Sequence, residues 1–393
     1  MRHGWETKKL GEVCKLFTDG DWIESKDQSN KGIRLIQTGN IGCGEFNDKA
    51  DHYRYISEET FIRLNCTEIY AGDILISRLP DPIGRSCIIP RMPHRMITAV
   101  DCTIVRPKNI INPNFLVYYT NSRQYQDEIN RYVTGAVRKR ISRKNLFKIP
   151  IPIPPLSEQE RIVAELDLLS DVIAKKREQL KQLDTLAQSI FYDMFGDPIT
   201  NEKGWKQVSL VDICKNTGVY GAGSSSMPKQ LYRPRYVRIT DILDSGDLND
   251  DFVVSSNVED DETYRLNVGD ILFARSGATV GKTYLYRGNE AQIYAGYLIK
   301  FSLNILYVNP IFIFYITKNR SYKLWISKQI IGVAQPNINA QKYGKLPIIL
   351  PPLALQQQFA SMIESIEKQK ELIKQSLSEV QQLFDSRMDY YFG

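Results

Sequence analysis

Several features that mark common classes of protein are scarce in this 393-residue sequence. No run approaches the roughly 18 apolar residues of a membrane-spanning helix, and the N-terminal MRHGWETKKL lacks the apolar core of a signal peptide. The six cysteines form no C-x-x-C pair, which argues against a disulfide framework and against a zinc site. Only three histidines are available for metal binding or general-base catalysis. We therefore expect a soluble cytoplasmic protein with no metal and no membrane contact, and its net charge of +6 is compatible with a polyanionic partner.

The sequence contains an internal repeat with an offset of about 197 residues. Four segments recur in nearly one register: GWETKKLGEVCK (4–15) as GWKQVSLVDICK (204–215), AGDILISR (71–78) as VGDILFAR (268–275), NPNFLVYYTNSR (112–123) as NPIFIFYITKNR (309–320), and KIPIPIPPLSEQ (148–159) as KLPIILPPLALQ (345–356). Several matches at one offset predict two divergent copies of a single unit.

Each copy begins with a segment that predicts a mixed α+β globule, at residues 1–156 and 197–353. The runs IRLIQT, EIYAGDILIS, CTIVRP, ILFARS and TYLYR are typical of strands. Asn112 and Asn309 are each followed by proline and predict capped helix starts. The strings IPIPIPP and PIILPP must be extended because proline breaks a helix.

Each copy ends with a predicted long helix, at residues 157–196 and 354–393. Apolar residues recur there with the 3.5-residue period of a coiled coil, although Lys176, Lys370 and Arg387 interrupt it. The seam consists of Ile162, Leu166, Leu169, Ile173, Leu180 and Leu183 in the first helix and Phe359, Ile363, Ile366, Ile373, Leu377 and Val380 in the second. At 1.5 Å per residue each helix would be about 58 Å long. We expect the two helices to pair with each other; the alternatives are pairing with helices of other molecules and ordinary surface helices on their own globules.

The loop ARSGATVGKT (274–283) resembles a phosphate-binding loop, which would indicate a nucleotide-binding enzyme. Only three residues separate Gly277 from Gly281, where the pattern needs four, and Pro80 replaces Gly277 in the equivalent SRLPDPIGRS (77–86). Both copies keep an arginine, a bend and a basic tip. We therefore interpret the loop as one that presents polar side chains to DNA, namely Arg78 and Arg85 in the first copy and Arg275, Ser276 and Lys282 in the second.

Two further polar segments carry residue types that contact bases and phosphates. The first is basic in copy one (134–150) and rich in amides in copy two (331–347), with candidates Arg138, Lys139, Arg140, Arg143, Lys144, Gln335, Asn337, Asn339 and Lys342. The second is a short strip with candidates Arg34, Gln37, Thr38 and Asn40, matched by Arg235, Arg238 and Thr240. The alternatives are a solvated charged surface for the first segment and a polar strand end for the second.

Two motifs superficially resemble those of amino-methyltransferases, namely NPNF with NPIF, and the glycine-rich TGNIGCGEF (38–46). The copy-two equivalent of the glycine-rich segment keeps only one glycine, and the NPxF strings are better explained as capped helix starts. We therefore expect no catalytic residue in this chain.

The whole chain resembles the specificity subunit of type I restriction–modification systems. The resemblance is carried by PIPIPPLSEQERIVAELD (150–167), the C-terminal FG, the two GDIL strings and the TVGK loop. It implies two target recognition domains that each read one half of a bipartite, asymmetric DNA sequence. It also implies that the long helices pair as an antiparallel coiled coil with pseudo-two-fold symmetry and fix the spacing.

The same resemblance implies the partners: double-stranded DNA, two modification (methyltransferase) subunits and the restriction subunits. Catalysis, S-adenosylmethionine, ATP and Mg would belong to those partner subunits, and this chain would hold no cofactor. The sequence departs from the family pattern in copy one, where GAVRKRI stands in place of the GxxQPNI string of copy two. The alternative function is that of a stand-alone DNA-binding or scaffold protein without modification subunits.

Overall fold

The computed structural model of the chain describes residues 4–49, 52–135, 138–251, 253–258, 262–288, 290–330 and 336–393. It divides into two compact units, unit 1 (Met1–Arg177 with Gln375–Gly393) and unit 2 (Glu178–Lys374). The compact units differ from the domain boundaries expected from the sequence, because each unit contains one globule and parts of both long helices.

The first copy contains eleven strands and five α-helices within the described ranges. The strands are β1 (Glu6–Lys9), β2 (Cys14–Asp19), β3 (Gln28–Ser29), β4 (Ile33–Ile36), β5 (Tyr55–Ile56), β6 (Glu68–Ile69), β7 (Ile74–Ser77), β8 (Ser86–Ile88), β9 (Met96–Thr98), β10 (Cys102–Pro107) and β11 (Pro150–Ile153). The helices are α1 (Glu58–Arg63), α2 (Pro113–Thr120), α3 (Arg123–Asn130), α4 (Arg143–Phe147) and α5 (Leu156–Phe195).

The second copy follows the same order, except that its described residues contain no α-helix or strand corresponding to α1 and β6. Its strands are β12 (Lys206–Ser209), β13 (Val219–Tyr220), β14 (Ser226–Pro228), β15 (Arg235–Val237), β16 (Val254–Ser256), β17 (Ile271–Ala274), β18 (Thr283–Leu285), β19 (Gln292–Tyr294), β20 (Leu298–Phe301) and β21 (Pro347–Leu350). Its helices are α6 (Pro310–Ile316), α7 (Arg320–Ile330), α8 (Ala340–Gly344) and α9 (Leu353–Phe392).

Unit 1 is built on two larger sheets. Strands β2-β10-β7-β8 form an antiparallel sheet, and β3-β5-β4-β9-β6 form a mixed sheet in which β4 and β9 run parallel. The strands β1 and β11 make a separate antiparallel pair, so the proline-rich string that ends the globule is extended, as predicted. The central strand β7 is completely buried, because apolar helices cover one face of its sheet and the mixed sheet lies against the other.

Unit 2 repeats this topology except at β6, where it has only an isolated bridge between Arg265 and Ile293. Its sheets are β13-β20-β17-β18, which is antiparallel, and β14-β16-β15-β19, in which β15 and β19 run parallel. The pair β12-β21 corresponds to β1-β11. Both copies therefore place the same strands at equivalent sites, which is what a duplicated sequence should produce.

The predicted helix starts are confirmed in both copies. The Asn112 side chain accepts hydrogen bonds from the backbone at the start of α2, and Asn309 does the same for α6, each with proline at the first position. The predicted strand run EIYAGDILIS is instead two strands, β6 and β7. A turn separates them because Gly72 adopts φ +91°, a conformation that suits glycine.

The two long helices are present, and each begins and ends one residue earlier than predicted. Six seam residues are buried: Ile162, Leu166, Ile173, Phe359, Ile363 and Ile366. The other six are partly exposed: Leu169, Leu180, Leu183, Ile373, Leu377 and Val380. None of the helices in the described ranges combines the length and the apolar character that a bilayer crossing requires.

Each unit packs the end of one helix beside the start of the other. In unit 1 the ring of Phe392, at the end of α9, lies 5.4 Å from that of Phe115 in α2. In unit 2 the ring of Phe195, at the end of α5, lies 4.7 Å from that of Phe312 in α6. Since these two pairs are related by the repeat offset, the two contacts are equivalent.

Ionic contacts accompany this packing. In unit 1 the Glu165 carboxylate of α5 accepts from the Tyr391 hydroxyl at 2.6 Å and pairs with Arg387 at 2.5 Å. In unit 2 the Lys370 side chain of α9 pairs with Asp184 of α5 at 2.8 Å. Lys370 interrupts the apolar period, and the ion pair explains how this cation is accommodated in a largely buried position.

Candidate nucleic-acid interface

The loop between β17 and β18 uses its backbone N–H groups inside the protein. Gly277 N donates to Pro336 O at 3.1 Å, and Gly281 N donates to Ala274 O at 3.1 Å. The Thr283 hydroxyl is buried and lies 2.7 Å from that of Thr317. A phosphate cradle needs unoccupied backbone donors, so this loop lacks the arrangement of a nucleotide-binding loop.

The predicted basic tip of the first-copy loop is turned inward. Arg85 is buried, and its guanidinium donates to the carbonyls of Ile41 at 2.7 Å, Thr38 at 2.8 Å and Pro80 at 2.6 Å. The side chain therefore ties the β7–β8 loop to the strip that follows β4. The expectation of a DNA-facing Arg85 is corrected, because its donors are used within the fold.

Lys282 plays the equivalent part in unit 2. Its ammonium donates to Ile242 O at 3.1 Å and pairs with Asp244 at 3.1 Å. What the two copies share at this position is thus a cation that joins two loops. It is not a cation presented at a loop tip.

Two strip arginines are also structural. Arg34 is buried, pairs with Asp48 at 2.5 Å and stacks 3.8 Å from the centre of the Tyr53 ring. The hydrogen bond from Arg34 lowers the pKa of Asp48. Arg235 is buried in the same way and pairs with Asp250 at 2.6 Å. The expectation of direct DNA contact by Arg34 and Arg235 is corrected, because charge pairing in a buried site uses these side chains.

The rest of the strip forms short turns. Asn40 is buried; its side-chain oxygen accepts from Gln37 N at 3.0 Å and its amide donates to Asn47 O at 2.9 Å. Arg238 pairs with Asp241 at 2.6 Å, and this hydrogen bond raises the pKa of Arg238. The partly exposed members are Gln37, Thr38 and Arg238, and Thr240 is exposed.

The second polar segment of unit 1 is dense in exposed positive charge. Thr134 and Arg140 form a backbone bridge, with N–H to carbonyl distances of 2.9 Å in both directions. The exposed cations are Arg138, Lys139, Arg140, Arg143 and Lys144. Arg143 lies 3.9 Å from Asp19, and no described residue pairs with the other four.

The corresponding segment of unit 2 carries amides and two lysines, Lys342 and Lys345. Asn337 is exposed and bridges to Ser276, while Asn339 is exposed and caps α8 by accepting from Lys342 N at 2.9 Å. Lys342 is exposed as well. Gln335, which the sequence predicts as a contact residue, lies outside the described residues.

The three predicted segments meet in each unit. In unit 1 Arg85 joins the strip to the loop, and Arg78 O accepts from Ile141 N at 3.3 Å in the basic segment. In unit 2 Lys282 joins strip and loop, and Arg275 O accepts from Ile338 N at 2.8 Å. We call this surface the polar edge; it comprises residues 37–41, 78–85, 134–135 and 138–144 in unit 1 and 238–242, 275–282 and 336–342 in unit 2.

Three aromatic residues beside the polar edge were missed at the sequence level. Trp22 follows β2 and is 69% exposed, Tyr297 precedes β20 and is 61% exposed, and Tyr220 ends β13. Nothing in their local sequence distinguishes them from core aromatics. Their position becomes evident only when the strand ends are seen to share one edge.

Comparison with known proteins identifies the family. The model of the type I restriction modification DNA specificity domain matches residues 2–184 and again residues 202–382. The specificity subunit of the type I restriction enzyme StySPI of Salmonella potsdam is 23% identical, over 93% of this chain and 82% of that protein. The MjaIX specificity subunit of Methanocaldococcus jannaschii is 22% identical, over 92% of this chain and 86% of that protein.

Solved structures support the same fold. The S subunit of a type I restriction–modification system from M. genitalium has a TM-score of 0.57 at 13% identity, covering 98% of this chain and 95% of that one. A chain solved in work on complex assembly and conformational transition of the type I system has a TM-score of 0.56 at 17% identity, covering 99% and 98%. With two matches that together span most of its length, this chain belongs to the family of type I restriction–modification DNA specificity domains.

Proposed function

We propose that this chain is the DNA-reading subunit of a type I restriction–modification complex, in which each unit reads one half of a bipartite, asymmetric target. The observation that carries the proposal is the polar edge, which is built on equivalent strand ends in both units but carries different side chains. Two domains with the same backbone arrangement but different contact residues are suited to bind two different DNA sequences.

The proposed contacts are exposed and partly exposed members of the polar edge. In unit 1 the cations at 138–144 suit phosphate binding, because Arg and Lys supply most backbone contacts to DNA. In unit 2 the amides and hydroxyls suit base edges as well as phosphates. The proposed set is Gln37, Thr38, Arg138, Lys139, Arg140, Arg143 and Lys144 in unit 1, and Arg238, Thr240, Arg275, Ser276, Asn337, Asn339 and Lys342 in unit 2. Arg78 and Asn40 would hold these contact residues in place from the protein side.

We further propose that α5 and α9 pair as an antiparallel coiled coil with pseudo-two-fold symmetry. The equivalent contacts of Phe392 with Phe115 and of Phe195 with Phe312 favour this arrangement, as do the ion pairs that join the helices in each unit. Such a pair would act as a stiff spacer and would set the distance between the two half-sites.

The proposed partners are double-stranded DNA, two modification subunits and restriction subunits. Exposed leucines on the long helices would be docking positions for modification subunits: Leu168, Leu186, Leu372 and Leu383. In this proposal the chain is not catalytic and holds no cofactor. Methyl transfer from S-adenosylmethionine and the ATP- and Mg-dependent steps would take place on the partner subunits.

Co-expression with its modification subunit tests the proposal. The purified complex should contain one copy of this chain and two modification subunits, and genomic DNA from such cells should carry adenine methylation at one split sequence. A control with Leu168→Asp and Leu372→Asp should lose the modification subunit while the chain stays folded. If the chain binds DNA but never co-purifies with a modification subunit, the stand-alone DNA-binding or scaffold alternative is correct.

A further inference from the structure

Arg275 and its first-copy counterpart Arg78 differ in their charge partners. Asp19, the last residue of β2, lies 3.3 Å from Arg78 Nε, and the other guanidinium nitrogens donate to Val100 O at 2.6 Å and Ile141 O at 3.4 Å. The last residue of the equivalent strand β13 is Tyr220, which carries no charge. Arg78 is therefore neutralised within unit 1, and Arg275 has no carboxylate partner among the described residues.

The Arg275 side chain lies on an aromatic support. Its guanidinium carbon is 4.8 Å from the centre of the Tyr220 ring, and its Nε is buried without a hydrogen-bond partner in the described part of the chain, as Arg78 Nε is; the donors that could reach DNA are therefore on its two terminal nitrogens. A cation over an aromatic face is stabilised by the ring but keeps its N–H donors available. The ring thus holds the Arg275 guanidinium in place without accepting conventional hydrogen bonds from it.

Both the support and the backbone of Arg275 are fixed. The Tyr220 hydroxyl accepts from Ala340 N at 3.1 Å, at the start of α8, so the ring cannot turn away freely. Arg275 N donates to Tyr297 O at 3.0 Å, and Arg275 O accepts from Ile338 N at 2.8 Å. The residue is therefore anchored on both sides at the polar edge of unit 2 while its side chain remains half-buried.

We propose that Arg275, positioned by Tyr220, reads a guanine in the half-site recognised by unit 2. A rigid planar fork with free donors fits the O6 and N7 acceptors of guanine in the major groove, the commonest specific contact of arginine with DNA. Because Asp19 neutralises Arg78, the first half-site is not read in this way. The inference rests on the proposed function of unit 2 as a DNA reader, and it adds the base, the reading residue and the positioning residue.

Variants of the full chain, assembled with its modification subunits, test the proposal by sequencing of methylated genomic DNA. The wild-type motif should contain an invariant G·C pair in one half-site. Arg275→Gln should reduce discrimination at that single position by roughly 10- to 100-fold, with the other positions unchanged, since glutamine pairs better with adenine than with guanine. Arg287→Ala is the matched control, because it removes an exposed arginine at the opposite end of the β17–β18 hairpin.

Tyr220 is tested separately. Tyr220→Phe keeps the ring and should keep guanine selection, whereas Tyr220→Ala removes the support and should relax the same position that Arg275→Gln relaxes. If Tyr220→Ala keeps the wild-type motif, the positioning role is wrong.

Two outcomes would overturn the guanine contact while leaving the proposed function intact. The first is an unchanged bipartite motif with Arg275→Gln. The second is a uniform loss of binding to all DNA sequences with a weaker dependence on salt, which indicates a phosphate contact. Absence of any bipartite motif in the wild type would instead contradict the proposed function itself.

Discussion

Gln159 and Gln356 occupy the same position in the two copies, and both side chains are completely buried. Gln159 Oε1 accepts from Asn112 N at 2.7 Å and its amide donates to Pro154 O at 2.8 Å. Gln356 makes the same two bonds, to Asn309 N at 2.9 Å and Pro351 O at 2.8 Å. Each glutamine thus connects the start of a long helix to the capped helix of its own globule.

Gln356→Ala should destabilise unit 2 by about 1–3 kcal/mol, because it leaves a buried N–H and a buried carbonyl without partners. Urea denaturation measures the change in the free energy of unfolding. Gln357→Ala is the matched control, since Gln357 is exposed on the same helix and its replacement should cost less than about 0.5 kcal/mol. Equal effects of the two substitutions would show that the buried bonds contribute nothing.

Lys318 is a half-buried polar residue, and its charge depends on pH. Its ammonium donates to Thr283 O at 3.3 Å and lies 4.6 Å from the centre of the Phe314 ring. Desolvation lowers the pKa of Lys318 from 10.5 to about 8, while the nearby carboxylates of Asp247 and Asp244 oppose the shift. The equivalent residue of copy one is Asn121, so only unit 2 carries this titrating group.

Unit 2 should therefore become more stable as the pH rises from about 8 to about 10.5. In that window the folded chain has lost the Lys318 proton while the unfolded chain retains it, so folding no longer buries a charge. Relative to that of Lys318→Met, the free energy of unfolding of the wild type should rise by about 1–3 kcal/mol across this pH window, because one pKa unit corresponds to about 1.4 kcal/mol. Urea denaturation of both proteins at several pH values measures this. A difference that stays constant with pH would rule out the titration.

At the scale of elements, the long helices pack against the rest of the protein mainly through residues near their ends. The ends of α5 and α9 bury Phe195 and Phe392 in aromatic clusters, and the seam residues near the unit boundaries are only partly buried. Because part of the buried apolar surface of each helix lies in its last turns, the packing of the helix depends on those turns.

Phe195→Ala should destabilise unit 2 and Phe392→Ala should destabilise unit 1, each by about 3–5 kcal/mol, as expected for removal of a buried aromatic ring. Hydrogen exchange resolves the two units: α6 should exchange faster in the first variant and α2 in the second. Leu186→Ala is the control, since Leu186 is exposed on α5. Faster exchange of α2 in Phe195→Ala, with α6 unchanged, would contradict the assignment of helix ends to units.

The elements were predicted well from sequence where a local signal exists. The two 40-residue helices follow from their apolar period, and the starts of α2 and α6 follow from the Asn-Pro pairs. The division of EIYAGDILIS into β6 and β7 was missed, although Gly72 and Asp73 within it are residues typical of a turn, because the run was treated as one apolar segment.

At the scale of the whole molecule, the proposed spacer makes a quantitative prediction. Inserting one heptad into both helices, between Arg177 and Glu178 and between Lys374 and Gln375, preserves the 3.5-residue period. Each helix should lengthen by about 10.5 Å, close to the length of three base pairs of DNA at about 3.4 Å per pair.

The methylated target of this variant should keep both half-sites and gain about three base pairs between them. Sequencing of methylated genomic DNA, with the assembled complex, measures the spacing. A control with seven conservative substitutions at the same places should keep the wild-type spacing. An unchanged spacing in a folded insertion variant would show that the helices do not set the distance between half-sites.

The sequence by itself determined the architecture of this protein. The duplication, the α+β character of each copy and the long helices all follow from repeats and periods that lie within short stretches of chain. The family follows from the same motifs. These features are local in sequence, so they can be recognised without knowledge of the fold.

Only the tertiary structure decided which polar residues can face a ligand. Arg34, Arg85 and Arg235 are of a residue type that binds DNA, but they are buried, because acceptors such as Asp48 and Ile41 O are brought to them by other chain segments. Lys282 is half-buried and is held by Ile242 O and Asp244. Arg275 differs from Arg78 because Tyr220 rather than Asp19 ends the neighbouring strand. The free energy of a buried cation depends on the groups around it in space, and sequence spacing alone does not contain that information.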